Sequence, residues 1–189
     1  MSEQKLKMSF DPHTIEHLGI KMYSVLPNAI AELIANAYDA DATEVHIRII
    51  DTKGDKRIIV SDNGTGMTFN EINENFLRIG RKRRESDNGI SIIKNRKVTG
   101  RKGLGKLAFF GIGDIIRIKT YKKGEATSFI LCWNELIGTN GNDYEPKFCV
   151  EKCDPQIQGT NIELCSLKRK SDIDIDNLAI SLSKLFNFF

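Results

Sequence analysis

Apolar side chains recur at two different spacings along this chain, and the spacing changes at turn-forming residues. Between residues 26 and 38 they return every three or four positions, which is the spacing of one face of an α-helix. This stripe consists of Leu26, Ile30, Leu33, Ile34 and Ala37. Pro27 suits the first helical turn, because its missing N–H would have no partner there. The pattern predicts an amphipathic helix over residues 27–38.

The next segment alternates strictly, which is the period of a half-buried strand. Its inward positions are Val45, Ile47 and Ile49. Turn-forming residues at 52–55 and 122–125 predict two hairpins, and the first is completed by a return strand over residues 57–61. Four later strands are predicted at residues 115–121, 126–133, 147–152 and 161–165.

Helical signals occupy most of the rest of the chain. Thr68 and Glu71 have capping-box spacing and predict a helix through Leu77. A short helix is expected at residues 103–111, and a last amphipathic helix capped by Ser171 or Asp172. The inward positions of that helix are expected to be Ile175, Leu178, Leu182, Leu185 and Phe186.

The mixture of elements predicts an α+β two-layer sandwich, with a mixed, mostly antiparallel sheet and helices on one face. Neither an internal repeat nor a Pro/Gly/Ser-rich linker interrupts the sequence. We therefore expect one domain over residues 1–189, with an N-terminal extension at residues 1–25.

Composition is that of an ordinary globular protein, with 40% hydrophobic and 28% charged residues in 189. A chain of this length can bury roughly two-thirds of its unfolded surface. The formal charge of +3 does not by itself indicate nucleic acid. The residues after Met1 are polar, and no apolar stretch could span a bilayer, so we expect neither a signal peptide nor a membrane partner. A cytoplasmic location is the expectation.

Two groups of residues in the sequence are of types that commonly bind metal ions. The cysteines, Cys132, Cys149, Cys153 and Cys165, lack the paired spacings of zinc sites, so we expect reduced, largely buried thiols. His13 and His17 lie one helical turn apart, but no third ligand is evident. A surface helix is the interpretation we favour for them.

A polar row runs along the first long helix, opposite its apolar stripe. Glu32, Asn36 and Asp39 are four and then three residues apart, so they share one face. Their oxygens are hard ligands of the kind that Mg²⁺ takes alongside water and phosphate. The alternative is a solvated helix face with no ligand.

Two glycine clusters could bring backbone close to a ligand. In the first, Asp62 ends a predicted strand and is followed by Asn63, Gly64, Thr65, Gly66 and Met67. A carboxylate there needs a hydrogen-bond donor, and the amino group of a base would supply one. The alternative is a plain turn between two elements.

The second glycine cluster, at residues 100–106, is flanked by cations and precedes a predicted helix. Backbone N–H groups at a helix N-terminus bind phosphate well. A P-loop interpretation fails at Leu107, where Ser or Thr should contact Mg²⁺. A flexible basic loop with glycine hinges is the other alternative.

Four motifs together resemble the GHKL ATPases, the superfamily of gyrase, the heat-shock chaperone, histidine kinases and MutL. They are Glu32-Leu-Ile-Ala-Asn36-Ala-Tyr-Asp39-Ala40, Asp62-Asn-Gly64-Thr-Gly66-Met67, Gly100-x-x-Gly103-x-Gly105 and Gly159-Thr160-Asn161-Ile162. The match runs from about Leu26 to Leu164. Because it contains Glu32 and the Asp39-Ala40 pair, the first motif resembles that of the MutL, MORC and chaperone branch more than that of histidine kinases.

The resemblance implies a Bergerat fold that binds Mg-ATP between the helices and the sheet. Asp62 would accept the adenine amino group with help from Thr160, Asn36 would hold Mg²⁺, and Glu32 would polarise the attacking water. Residues 80–102 would form an ATP lid. The remaining nucleotide-binding positions implied are Asp39, Gly64, Gly66, Met67, Gly80, Lys102, Gly103, Leu104, Gly105 and Lys106.

Hydrolysing members take a cation for the γ-phosphate from a following transducer domain. We therefore expect this chain to be a piece of a longer protein, a weak ATPase alone and part of an ATP-dependent homodimer when complete. The alternatives are an ATP-sensing module with little hydrolysis and a histidine-kinase-like phosphoryl-transfer domain. Direct DNA binding through the basic residues at 81–84 and 94–106 is a further possibility.

Overall fold

The computed structural model describes residues 25–78, 90–91, 93–99, 105–138 and 144–186. Its helices are α1 (Leu26–Asp39), α2 (Phe69–Glu71, continued by a π-helical turn at Ile72–Phe76), α3 (Gly105–Ile112), α4 (Trp133–Gly138) and α5 (Ile175–Phe186). Its strands are β1 (Val45–Thr52), β2 (Asp55–Asp62), β3 (Gly113–Lys122), β4 (Glu125–Cys132), β5 (Phe148–Lys152) and β6 (Gly159–Leu167).

The strands form one six-stranded sheet in the order β1-β2-β6-β3-β4-β5. Each neighbouring pair among these strands is antiparallel, so the parallel pairing allowed by a mixed sheet does not occur in the described residues. Both predicted hairpin turns are present, between Thr52 and Asp55 and between Lys122 and Glu125. The insertion of β6 between β2 and β3 brings Thr160 beside Asp62.

The core lies between one sheet face and the helices. One register row crosses all six strands through Ile47, Val60, Ile162, Ile118, Phe129 and Phe148. The ring of Phe76, at the end of the π-helical turn, packs edge-on against Phe129, with centroids 5.7 Å apart. The predicted stripe of α1 supplies Leu26, Ile30, Leu33 and Ala37 to the interior.

The next register row faces the other way and contains Arg48, Ile59, Glu163, Arg117 and Ile130. The Arg48, Arg117 and Ile130 side chains in it are exposed. One sheet face is thus covered by helices and the other carries exposed charge. The predicted α+β two-layer sandwich is confirmed.

The structure corrects several local predictions. Trp133 begins α4 instead of extending β4, because its indole packs against Phe110, with centroids 5.2 Å apart. The last helix is capped by Asp174, whose carboxylate accepts the Asn177 N–H at 3.0 Å, and not by Ser171 or Asp172. Ile175 and Leu185 were expected to face inward but are 60% and 42% exposed.

The thiols are free, as expected, but only Cys165 is buried. Cys132 and Cys153 are half-buried and Cys149 is exposed, so the prediction that the cysteines are largely buried was wrong. In the described part of the chain no group of His, Cys, Asp and Glu side chains could hold a metal by itself. No described helix is long and apolar enough to cross a membrane.

Candidate functional site

The polar row of α1 lies half-buried along the helix. Neither Glu32 nor Asn36 has a side-chain hydrogen bond with other residues that the structure describes. Burial raises the pKa of Glu32 above its usual value, and the negative charge of Asp39 adds to the effect. The helix thus presents a carboxyl and an amide one turn apart, neither of them hydrogen-bonded within the described part of the chain, which suits contact with an external ligand.

Asp39 has a different environment from the other two members of the row. Its Oδ1 accepts hydrogen bonds from the Thr99 backbone N–H at 2.8 Å and from the Thr99 hydroxyl at 2.9 Å. Thr99 directly precedes Gly100, the first residue of the second glycine cluster. Asp39 therefore links the first predicted motif to the beginning of the third.

Asp62 is the last residue of β2, and its half-buried side chain lies where the strand meets residues 63–67, the first glycine cluster, which we call the glycine turn. Its Oδ1 accepts the Gly64 N–H at 2.9 Å. Burial raises the pKa of Asp62, and backbone hydrogen bonds from Gly64 and Thr160 only partly offset that rise. Among the described residues, no positively charged side chain lowers this pKa. The carboxyl can therefore accept a further donor.

The glycine turn after Asp62 is held against the C-terminal end of α1. The Thr65 N–H donates to the Ala40 carbonyl at 2.8 Å. The Asn63 side chain accepts the N–H groups of Thr43 and Glu44 at 2.8 and 3.0 Å. The first and second predicted motifs therefore form one continuous surface.

Two glycines allow the backbones around Asp62 to approach more closely than any side chain would permit. Gly66 has φ +60°, and a Cβ there would lie 2.0 Å from the Tyr121 carbonyl oxygen. Gly159 has φ +121°, and a Cβ there would lie 2.1 Å from the Asp62 carbonyl oxygen. Both distances are far below contact, so glycine is required at both positions.

The third motif is only partly within the described residues. Gly80, Lys102, Gly103 and Leu104 lie outside them. Gly105 opens α3 and Lys106 follows it, and α3 packs against α1. The described elements thus bring the first, second and fourth motifs together, and α3 packs against α1.

Sequence comparison agrees with this arrangement of motifs. The family model described as histidine kinase-, DNA gyrase B-, and HSP90-like ATPase matches residues 23–160. That range includes the polar row, the glycine turn, the second glycine cluster and Thr160. The chain belongs to this ATPase family.

Individual relatives are considerably longer than this chain. A putative type II restriction enzyme, HgiDII from Herpetosiphon aurantiacus, is 36% identical over 171 residues, covering 89% of this chain and 27% of the relative. The chaperone protein HtpG of Francisella tularensis subsp. novicida is 30% identical, covering 92% of this chain and 30% of the relative. HtpG of Mycobacterium leprae is 25% identical. The chain spans less than a third of these relatives.

One residue that joins two of the predicted motifs was missed by sequence reasoning. Thr120 is fully buried, and its hydroxyl accepts the Met67 N–H at 2.9 Å. It also lies 3.2 Å from the Gly159 carbonyl and 3.1 Å from the Thr160 hydroxyl. One side chain thus fixes the second motif against the fourth. In the sequence, Thr120 could have been recognised as a polar residue at an inward strand position, because it alternates with Ile116 and Ile118, which are buried.

A second missed contact supports the same turn. The Lys122 ammonium lies 2.8 Å from Glu71 and 3.5 Å from the Gly66 carbonyl. Glu71 also accepts the Thr68 N–H at 2.7 Å, which completes the predicted capping box. Burial would raise the pKa of Glu71, but Lys122 and Thr68 outweigh it and hold the pKa below its usual value.

Replacing Thr120 with valine is expected to lower the free energy of unfolding by about 1–3 kcal/mol, because the Met67 N–H loses its acceptor inside the protein. Thr127 provides a matched control. It pairs directly with Thr120, is 2% exposed, and forms no side-chain hydrogen bond with described residues. Thr127→Val should therefore change stability much less. Urea unfolding of both variants tests this, and equal losses would contradict the role given to the Thr120 hydroxyl.

Proposed function

We propose that this chain binds Mg-ATP between α1, the glycine turn and the start of α3, and that the larger protein hydrolyses the nucleotide. The proposal depends mainly on the environment of Asp62. Its carboxyl is half-buried at the end of an interior strand, and no positively charged side chain of the described residues offsets that burial. A site that leaves such an acceptor available is complementary to a ligand that brings a donor.

The adenine end of the nucleotide would be recognised by Asp62 and its neighbours. The carboxylate would accept the exocyclic amino group, and the Thr160 hydroxyl would support the same edge of the base. Gly64, Gly66 and Met67, in the turn that directly follows Asp62, would line the same part of the site. This assignment follows the family resemblance and is supported by the raised pKa of Asp62.

The metal end would lie on α1. The Asn36 amide oxygen is a hard ligand without a hydrogen-bond partner among the described residues, so it fits Mg²⁺. Magnesium, when bound, would neutralise charge on the phosphate oxygens. Asp39 would act near the same end, although its Oδ1 already accepts two hydrogen bonds from Thr99.

Glu32 would act as the general base toward water, one helical turn from Asn36. A general base works best with a pKa near the operating pH, and burial moves the pKa of Glu32 upward. Phosphate contacts are proposed for Gly80, Lys102, Gly103, Leu104, Gly105 and Lys106, and residues 80–102 for an ATP lid. These assignments rest on the resemblance alone.

For the larger protein, we propose a homodimer whose association depends on ATP. An ATP-sensing module with little hydrolysis remains the alternative for the chain itself. A role within a DNA-acting protein is a second candidate. It is supported by the 36% identity over 89% of this chain to a relative named a putative type II restriction enzyme.

Calorimetric titration with ATP, with and without Mg²⁺, tests the proposed function. Wild type is expected to bind ATP more tightly when Mg²⁺ is present. Asn36→Ala should reduce the Mg²⁺-dependent affinity by about 10–100-fold, a range typical of altered metal environments. Asn28→Ala is the control, because Asn28 lies exposed on the same helix.

Failure of the wild-type chain to bind ATP under either condition would overturn the proposal. Binding of duplex DNA that weakens steeply with salt and does not need ATP would favour the DNA role instead. Equal Mg²⁺ dependence in wild type and Asn36→Ala would leave ATP binding standing but remove Asn36 as the metal ligand.

A further inference from the structure

A short turn from the middle of the chain is docked on the C-terminal end of α1. We call residues 90–91 and 93–99 the docked segment. The Ser91 N–H donates to the Arg96 carbonyl at 2.8 Å, and the Arg96 N–H donates back to the Ser91 hydroxyl at 2.8 Å. Ile90 and Lys97 form an antiparallel bridge beside them. The segment is therefore folded as a unit.

Asp41 holds this segment through both carboxylate oxygens. Its Oδ1 accepts the Ser91 hydroxyl at 2.6 Å and the Lys94 N–H at 3.2 Å. Its Oδ2 accepts the Ile93 N–H at 2.8 Å. Asp41 is 7% exposed, and Ser91 is 5% exposed. A carboxylate shielded to this extent is stable only while these donors remain in place.

Asp41 also has a less common backbone conformation. Its φ is +63°, in the left-handed region that glycine adopts freely and aspartate more often than most other residues. Burial would raise the pKa of its carboxyl, but hydrogen bonds from Ser91, Ile93 and Lys94 and the charge of Arg96 outweigh burial and lower the pKa. The docked segment therefore stabilises the ionised side chain of this residue.

Arg96 closes the contact from the other side. Its Nη1 donates to the Ala42 carbonyl at 2.7 Å and to the Tyr38 carbonyl at 3.3 Å. The guanidinium also lies 4.5 Å from the centroid of the Tyr38 ring. These interactions bind the segment to the last turn of α1 and to the residue immediately after Asp41.

The neighbours of Asp41 in sequence belong to the candidate nucleotide site. The Ala40 carbonyl accepts the Thr65 N–H of the glycine turn at 2.8 Å. Asp39 accepts two hydrogen bonds from Thr99, at the end of the docked segment. Asp41 therefore directly follows the two residues that contact the glycine turn and Thr99.

We infer that Asp41 is a positioning residue that couples docking of this segment to nucleotide binding, an inference that rests on the proposed function. Asp41 and Asp39 hold the docked segment at two points, and Ala40 between them accepts the Thr65 N–H of the turn that follows Asp62. Because coupling between two equilibria is reciprocal, nucleotide binding should strengthen the docking that Asp41 maintains.

Asp41→Gly is the informative change, because glycine accepts φ +63° without strain while removing the carboxylate. We expect hydrogen exchange of the Lys94 and Thr99 amides to accelerate in the absence of nucleotide. We also expect ATP affinity to fall about tenfold, within the range typical of coupled sites. Asp41→Asn retains one acceptor oxygen and should lie between wild type and Asp41→Gly.

Lys123→Gly is the matched control, because Lys123 also has positive φ, at +53°, but lies in the β3–β4 hairpin. It should change neither ATP affinity nor exchange at Lys94. Urea unfolding of each variant separates coupling from general destabilisation. The decisive measurement is whether ATP slows Lys94 exchange in wild type but has a smaller effect in Asp41→Gly.

Outcomes distinguish this inference from the proposed function. If wild type binds no ATP, the proposed function fails, and the inference built on it falls as well. If wild type binds ATP and Asp41→Gly binds it equally well, the coupling is absent and only the proposed function survives. Loss of affinity with an equal nucleotide effect on Lys94 exchange would also overturn the coupling.

Discussion

Replacing Asp62 with asparagine is expected to weaken ATP binding by about 100-fold, because a charged acceptor facing the adenine amino group is replaced in part by a second donor. Titration calorimetry in the presence of Mg²⁺ measures this directly. The same substitution is expected to raise the free energy of unfolding of the ligand-free chain. This second measurement tests the burial of Asp62 independently of ATP binding.

The stability gain follows from the direction of the pKa shift. The folded state raises the pKa of Asp62, with burial the main cause. Folding therefore favours the protonated form, and stability is lost as pH rises through the folded pKa. Near pH 7 the ionised carboxyl destabilises the ligand-free chain, and asparagine removes that cost. A gain of about 0.5–2 kcal/mol is expected, the size of a typical single stabilising substitution.

The gain in stability should depend on pH in a defined way. Below the unfolded pKa of about 3.9, wild-type Asp62 is protonated in both states, so the difference between variant and wild type should shrink. Asp172→Asn is the control, because the Asp172 side chain is 95% exposed and its ion pair with Lys56, at 3.0 Å, is of the surface kind that contributes little to stability. Unchanged ATP affinity in Asp62→Asn would remove Asp62 from the adenine site, and unchanged stability would contradict the idea that burial of the ionised Asp62 carboxyl destabilises the ligand-free chain.

Regular elements were predictable because local rules and tertiary packing agree there. The apolar stripe of α1, both hairpin turns and the Thr68–Glu71 capping box depend on residues close in sequence. Trp133 was misassigned because its β propensity is overridden by packing against Phe110. Such an override depends on a partner 23 positions away, which local spacing does not encode.

The site was predictable to a different extent. Asp62 and the glycines stood out because their residue types are unusual at the end of an apolar strand. Thr120 contacts Met67, 53 residues earlier, and Asp41 contacts Ser91, 50 residues later. Both contacts depend on how distant segments are brought together in space. A threonine at an inward strand position was nevertheless a usable signal, since buried hydroxyls need partners.

Replacing Glu32 with glutamine is expected to have the largest effect on catalysis. Glutamine keeps the shape of the side chain but cannot take a proton from water, so hydrolysis should fall by about 10²–10⁴-fold. ATP affinity should change little, because a general base acts mainly in the transition state. Single-turnover phosphate release and ATP titration, made on the full-length protein, separate the two effects.

The pH dependence of hydrolysis provides a second test of Glu32. Burial raises the pKa of Glu32, with the charge of Asp39 adding to the rise. Only the ionised form can act as a base, so the wild-type rate should fall as pH drops through that raised pKa, at higher pH than for an exposed glutamate. Glu125→Gln, at an exposed hairpin position, should leave both rate and profile unchanged. If Glu32→Gln hydrolysed ATP at the wild-type rate, the water would have to be activated elsewhere, and α1 would retain only its proposed role in binding Mg²⁺.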